Sequence, residues 1–360
     1  MNLSNISNLR LINQQIAESK FKTAKDVVGW MGAMQAQDYA MSKWAIGIRL
    51  PNSTDTIIES AIDNGEIIRT HLLRPTWHFV SSDDIYWMLD LTAPQIKTIT
   101  KSRNKDLGLT ETVFKQSNSI IEKVLRDGNH LTREELVAEF VKAGIPVDNN
   151  RASHLLLRAE IEGLLCSGKT KANKQTYALL PERVVKTRNL TRDEALAELA
   201  RKYFISHCPA TLQDFVWWSG LSVSKAKQAM ETIKSGFISE TINDKTYWFT
   251  NSFSISGSDK DKIHLLPAYD EFIISYRDRT PSLPFEFHKK AVSNNGLFWP
   301  TIVINGQVTG IWKRTIKKDK VLLETNFFDP QNNAAKNGIL KAFSPFGMFI
   351  NKEIEIIQSL

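Results

Sequence analysis

The 360-residue chain is 42% hydrophobic and 24% charged, the balance of an ordinary globular protein, and is long enough for roughly two to four compact units. Its 46 Lys and Arg against 39 Asp and Glu leave a formal charge of +7 and a pI near 9.2, which suits a polyanionic partner without requiring one. No apolar run approaches the roughly 18 residues of a membrane span, and no GxGxxG, GKS/T, HxxxH or Cys/His cluster appears, so neither membrane, nucleotide cofactor nor metal is expected.

The amino terminus, "MNLSNISNLR", has no charged-then-apolar leader. Cys166 and Cys208 lack ligand spacing and are expected to behave as small apolar side chains. A reduced, cytoplasmic setting follows as the expectation.

The phrase "KTAKDVVGWM" begins a helix after Thr23, with Asp26 three residues on. A threonine hydroxyl can cap the free amides of a helix start, and the acid can reach back to the cap. The pattern returns in "LTREELVAEF" (Thr132, Glu135) and "ATLQDFVWWS" (Thr211, Asp214), at irregular spacing that rules out a stacked solenoid. A second helical stretch follows in the later copies, "NNRASHLLLRAEIEGLL" and "SVSKAKQAMETI". Each copy then ends in two strand-like runs about a turn, at 66–80, 164–180 and 236–250. Helix, helix, hairpin is the order of a winged helix, a variant of the helix-turn-helix. The first copy is expected to be enlarged, with an extra helix near Asp55–Asn64 and more helix near 84–104.

After Phe249 the pattern changes. Residues 301–328 alternate apolar and polar about the tight-turn pair Asn305-Gly306, and "NNAAKNGILKAF" suits a late helix. The expected fold class is therefore α+β. Three tandem winged helices (1–112, 113–190 and 191–254) precede a β-rich, barrel-like carboxy-terminal domain (255–360). Such small units also serve as scaffolds, but three on a basic chain can line an extended nucleic-acid surface.

Within "GAMQAQDY", Gln35 and Gln37 stand two apart at the expected end of the first helix. On a regular helix they would point about 200° away from each other, so a shared target requires a helix end or a tight turn. Glutamine is common on helix surfaces, and spacing alone assigns the pair no chemistry. An amide can donate and accept hydrogen bonds but has no useful protonation near neutral pH, so the pair could hold a water or a polar ligand edge but not serve as a general base.

"MGAMQAQD" resembles the paired-glutamine motif of the AlkZ family of bacterial DNA glycosylases, winged-helix proteins that include enzymes unhooking interstrand crosslinks. "IIRTHLLRPTWHFV", "ARKYFISHCPATLQDFVWWSGL", "HLLPAYDEFIISYRDR" and "VINGQVTGIWKR" resemble further family segments in the same order, so the likeness spans nearly the whole chain. One branch of the family has an acid in place of the second glutamine. With Gln37 this chain resembles the two-glutamine branch, and Asp38, one residue later, is left without an assigned role.

The resemblance implies a monofunctional glycosylase for cationic N-alkylated, and also crosslinked, purines. Gln35 and Gln37 would position the hydrolytic water, without cofactor or metal. The implied partner is double-stranded DNA, and a monomer is expected. Arg69, Arg74 and His78 on the first hairpin, Lys245 on the third, Lys225 (with Arg201, Lys202 and Lys227 nearby) and Arg314 are candidate DNA contacts. A solvated edge for the arginines, a structural hydrogen bond for His78 and simple solubility for the lysines are the plainer alternatives. Trp77 is expected in the core, opposite His78. Asp270 with Arg277, and Trp312 with Arg314, are expected to hold the fold first and to contact DNA second. A non-catalytic winged-helix transcriptional regulator is the competing expectation. The lesion, whether its base leaves the stack, and which wing enters a groove stay open.

Overall fold

The structure, a computed structural model, describes residues 3–250, 262–329 and 333–358. Helix α1 (Leu3–Asn13) leads into a motif that occurs three times: a helix, a short strand, two helices and a hairpin. The first copy is α2 (Ala24–Met31), β1 (Ala33–Gln35), α3 (Tyr39–Gly47), α4 (Asp55–Asp63), β2 (Ile67–Leu72) and β3 (Thr76–Ser81). The long α5 (Ile85–Asp106) connects to α6 (Glu111–Leu125), β4 (Leu131–Thr132), α7 (Arg133–Lys142), α8 (Arg151–Ile161), β5 (Leu165–Ser167) and β6 (Thr176–Leu179). After α9 (Leu180–Arg183) comes the third copy: α10 (Arg192–Ser206), β7 (Ala210–Thr211), α11 (Leu212–Ser219), α12 (Val223–Ile233), β8 (Phe237–Ile242) and β9 (Lys245–Thr250). In every copy the antiparallel sheet runs first–third–second: β1-β3-β2, β4-β6-β5 and β7-β9-β8.

The capping threonines do start helices. Thr132 and Thr211 form complete capping boxes with Glu135 and Asp214, whereas Asp26 of α2 takes the Thr23 hydroxyl itself. The topology nevertheless corrects the alignment of the copies. Thr23 caps α2, the first helix of its copy, as Thr110 caps α6 and Thr191 caps α10. The residue equivalent to Thr132 and Thr211 is Asp38, which caps α3 by accepting the Met41 N–H at 3.1 Å. Helix α4 is thus the regular third helix of its copy, not an addition.

The carboxy-terminal part comprises β10 (Ile263–Leu266), α13 (Glu271–Ile274), α14 (His288–Ala291), β11 (Thr301–Ile304), β12 (Gln307–Ile316), β13 (Lys320–Phe327), α15 (Asn333–Ile350) and β14 (Glu353–Gln358). Its sheet runs β10-β11-β12-β13-β14, and among the described residues β10 and β14 do not pair, which makes it a curled half-barrel. Asn305 and Gly306 both take positive φ, the geometry that a two-residue turn between β11 and β12 demands. The expected boundary at 254/255 lies outside the described residues.

The hydrophobic clusters do not follow the repeats. Met34, Trp44 and Phe79 of the first copy share one cluster with Leu265, Trp312, Phe343 and Phe346 of the carboxy-terminal part. Ile68, Leu72 and Val80 share another with α5, Tyr203, Phe204, Phe215 and Trp218. The first copy is therefore wedged between the third copy and the half-barrel. Glycines allow the close approach: Gly32 (φ 79°) lies where a Cβ would come within 3.4 Å of the Lys202 Cβ, and Gly220 (φ 70°) where one would meet the Arg74 Cγ at 3.2 Å.

Candidate active site

The chain leaves the helix before the glutamines: Gln35 ends a short edge strand, and Gln37 stands in the bend that follows it, just before α3. Helix α2 stops at Gly32, whose positive φ turns the backbone into β1. Ala33, Met34 and Gln35 pair with Val80, Phe79 and His78, and the Ala36 N–H extends the ladder to the Trp77 carbonyl at 2.8 Å. Side chains on an extended chain alternate between faces. Met34 is wholly buried, and Gln35, its neighbour on the strand, takes the opposite face, the one that also carries His78, its cross-strand partner. Gln35 is 6% exposed and Gln37 is exposed.

Three contacts fix this strand. The Gln35 N–H donates to Glu271 Oε1 at 2.5 Å across 236 residues of sequence. Arg69 Nε and Nη2 donate to the Ala36 carbonyl at 3.0 and 2.9 Å, while its Nη1 reaches Gln175 Oε1 in the second copy at 2.7 Å. The Thr76 hydroxyl approaches Gln35 Oε1 at 3.4 Å. Asp38 is engaged as the helix cap already described.

Glu271 was missed by sequence reasoning, which singled out its neighbour Asp270. Asp270 forms a buried two-pronged pair with Arg49, at 2.8 Å on each arm, and so anchors the start of α13. Glu271 is buried and bonded by the Ser275 hydroxyl, and its Oε2 lies 3.7 Å from His207 Nε2. Burial pushes its carboxyl pKa up, but the nearby His207 and the bonds from the Ser275 hydroxyl and the Gln35 N–H outweigh that and hold it below the ordinary carboxylate range. A fixed negative charge therefore sits behind the Gln35 backbone.

The expected DNA contacts divide by placement. His78 is 1% exposed, and burial drives its pKa down to about 4, so its imidazole is neutral near pH 7. Its Nδ1 donates to the Thr76 carbonyl at 2.9 Å, which makes it the structural histidine of the plainer alternative. Arg69 is 9% exposed, stacks on Trp77 at 4.0 Å and has its donors on protein acceptors, so it clamps the strand rather than meeting solvent. Trp77 is half-buried and packs against the edges of two hydrophobic clusters, so of the adjacent pair it is His78, not Trp77, that lies in the interior.

Arg74 lies half-buried in the β2–β3 turn beside Trp217. Lys245 opens β9 and pairs with Asp278, Lys225 is half-buried in the first turn of α12, and Arg314 on β12 reaches Met41 Sδ. Lys202 is spent on packing, bonding the Gly29 carbonyl at 2.8 Å and Asp84 at 2.9 Å. Trp312 is buried and donates to the Leu266 carbonyl. Cys166 and Cys208 are buried and free, their thiols pushed up by burial to about 12 and about 11.

Among the described residues no cluster of three or more His, Cys, Asp or Glu could hold a metal, and no helix is long and apolar enough to cross a membrane. The arrangement offers the Gln35 amide opposite a neutral histidine, backed by a buried carboxylate, with the exposed Gln37 amide two residues on: groups suited to orienting a polar molecule. No curated protein matches the sequence. Among solved structures, the fold is similar to Streptomyces sahachiroi DNA glycosylase AlkZ, with TM-score 0.81 and 18% identity over 99% of this chain and 100% of that one. The family model for AlkZ-like DNA glycosylases matches residues 28–349, and with that match over most of its length the chain belongs to the AlkZ-like DNA glycosylase family.

Proposed function

We propose that the protein is a monofunctional DNA glycosylase that excises cationic N-alkylated purines, crosslinked ones included, from duplex DNA by water-assisted hydrolysis of the N-glycosidic bond. Gln35 and Gln37 hold the water beneath the sugar C1′ as cationic character develops there. The observation that carries the reading is the fixed strand end at Gln35 and Ala36, held by Glu271 and Arg69, with the exposed Gln37 in the bend immediately after it. Orientation is the amides' contribution, because a cationic base is already a good leaving group and needs no strong acid. A histidine with its pKa near 4 supplies no such acid at neutral pH. No lysine takes the role of a Schiff-base nucleophile, so strand cleavage does not follow excision. The negative charge of Glu271 favours the developing sugar cation through the Gln35 peptide.

In this reading the three repeats are winged helices bounded as 1–112, 113–190 and 191–254, and the half-barrel domain spans 255–360. The protein works as a monomer in the cytoplasm, and Lys225, Lys245 and Arg314 contact the duplex. Incubation with duplex DNA containing N7-methylguanine tests the function directly. Released base, with the strand left intact, is the expected product. Absence of release together with tight binding to undamaged operator-like DNA would replace the enzyme with a transcriptional regulator.

A further inference from the structure

We infer that Arg74, Arg277 and Arg279, gathered around Trp217, bind one phosphate of the DNA backbone next to the glutamine pair. The three arginines come from two distant segments, the β2–β3 turn and the stretch after α13. Their guanidinium carbons lie 5.4, 5.5 and 5.3 Å from the centroid of the same indole. The ring is fixed, since its Nε1–H donates to the Ile274 carbonyl at 2.8 Å.

Three like charges about one ring repel, and a purely structural cluster would carry its own counterions. Among the described residues no carboxylate forms an ion pair with any of the three. The acids nearby are committed elsewhere. Asp214 accepts the backbone N–H groups of Arg277 and Asp278 at 2.8 and 3.1 Å, Asp278 pairs with Lys245, and Glu271 holds Gln35. The Arg74 Nε is buried with no acceptor, the condition that is costly for a side chain placed only to fill space. Arg279 spends its Nε on the Ile273 carbonyl at 3.0 Å, which orients the fork, and its terminal nitrogens bond no described residue. Arg277 is exposed, so the cluster is open to solvent. Burial, then Arg74, lower the Arg279 pKa to about 10, and the charges of Asp214 and Asp278 offset this only in part.

An oxyanion with several acceptor lone pairs fits converging guanidinium forks, and the family's DNA substrate supplies one at every nucleotide. The location follows from covalent links. Arg74 precedes by two residues the Thr76 that touches Gln35, and Ile274, which anchors the indole, shares α13 with Glu271. A phosphate gripped there fixes the register of the strand whose sugar meets the amides. That placement rests on the glutamine pair being the reaction site; the phosphate contact itself does not.

The test uses the full chain and undamaged duplex, so that no excision is needed to read it. Arg74→Gln, Arg277→Gln and the double variant are compared with the parent by affinity against salt concentration, with thermal melting to confirm folding. The double variant is expected to lower the salt slope by about 1. Single neutral methylphosphonates are then scanned along a duplex that carries an uncleavable abasic analogue. One position beside the analogue should weaken the parent about tenfold and leave the double variant unaffected, the signature of a shared contact. Equal weakening of parent and variant at every position, with unchanged salt slopes, would overturn the proposal. Base release without any such position would sink the phosphate site and spare the enzyme, and the converse result would do the reverse.

Discussion

Gln35 and Gln37 differ in what their removal should cost the fold. Gln37 is exposed, so Gln37→Ala should leave the melting temperature within the small range of surface changes while lowering excision about 10²-fold. Gln35 is buried beside Thr76, and Gln35→Ala should match that loss of rate and also remove about 1 kcal/mol of stability. Equal unfolding in both variants, measured by denaturant titration, would mark the pair as structural.

His78 and His264, each with a pKa depressed to about 4 by burial, make a second prediction at this scale. The unfolded chain takes up protons near pH 6.5 while the folded one does not. Stability is therefore full above about pH 6.5 and falls as pH drops from there towards 4, by up to about 1.4 kcal/mol per pH unit for each histidine. Denaturant midpoints between pH 7 and 5 should show the decline, and His78→Asn should make it shallower; a flat profile would contradict the buried neutral imidazole. At the level of single residues the sequence exposed the paired amides and their order among the other phrases. It hid Glu271, because an acid in "YDEF" looks like any helix-start acid until the fold carries it to β1.

The short strand β1 is the element on which the site depends. Three residues are too few to display a period of two, so the sequence suggested a broken helix, whereas pairing with β3 was what extended the chain. Threonine caps, by contrast, act within four residues and were readable, although the equivalence of Asp38 with Thr132 and Thr211 emerged only from the sheet order. Arg69 ties this element to the second copy, and Arg69→Met would leave the Ala36 carbonyl and Gln175 without partners. A cost of about 1–3 kcal/mol is expected. Excision should fall further than that loss of stability explains, at unchanged duplex affinity. A parallel drop in affinity would show that the guanidinium reaches the DNA after all.

Across the whole molecule, the repeats were legible from helix caps and hairpins, but their fusion into shared cores was not. Apolar periodicity says which face of an element is buried and not against what. The fusion has a measurable consequence. Gly220→Ala puts a side chain at a positive φ and presses on the Arg74 turn, so it should destabilise by about 1–2 kcal/mol. It should also perturb the glutamine strand, which lies in another repeat; amide exchange at Gln35 and Ala36 would speed up if the wedge is loosened, and would stay unchanged if the repeats were independent.

The bond between Glu271 and the Gln35 N–H has an implication for how the protein comes to life. A nascent chain whose three repeats have left the ribosome already contains both glutamines and most of the surface around them, yet lacks the carboxylate that props their strand. Under the proposed function, competence arrives only once Glu271 has been translated. On that proposal a nonsense codon ahead of Glu271 would silence chemistry encoded near the start of the frame, and grafting the first repeat onto another scaffold would transplant the amides without the prop beneath them.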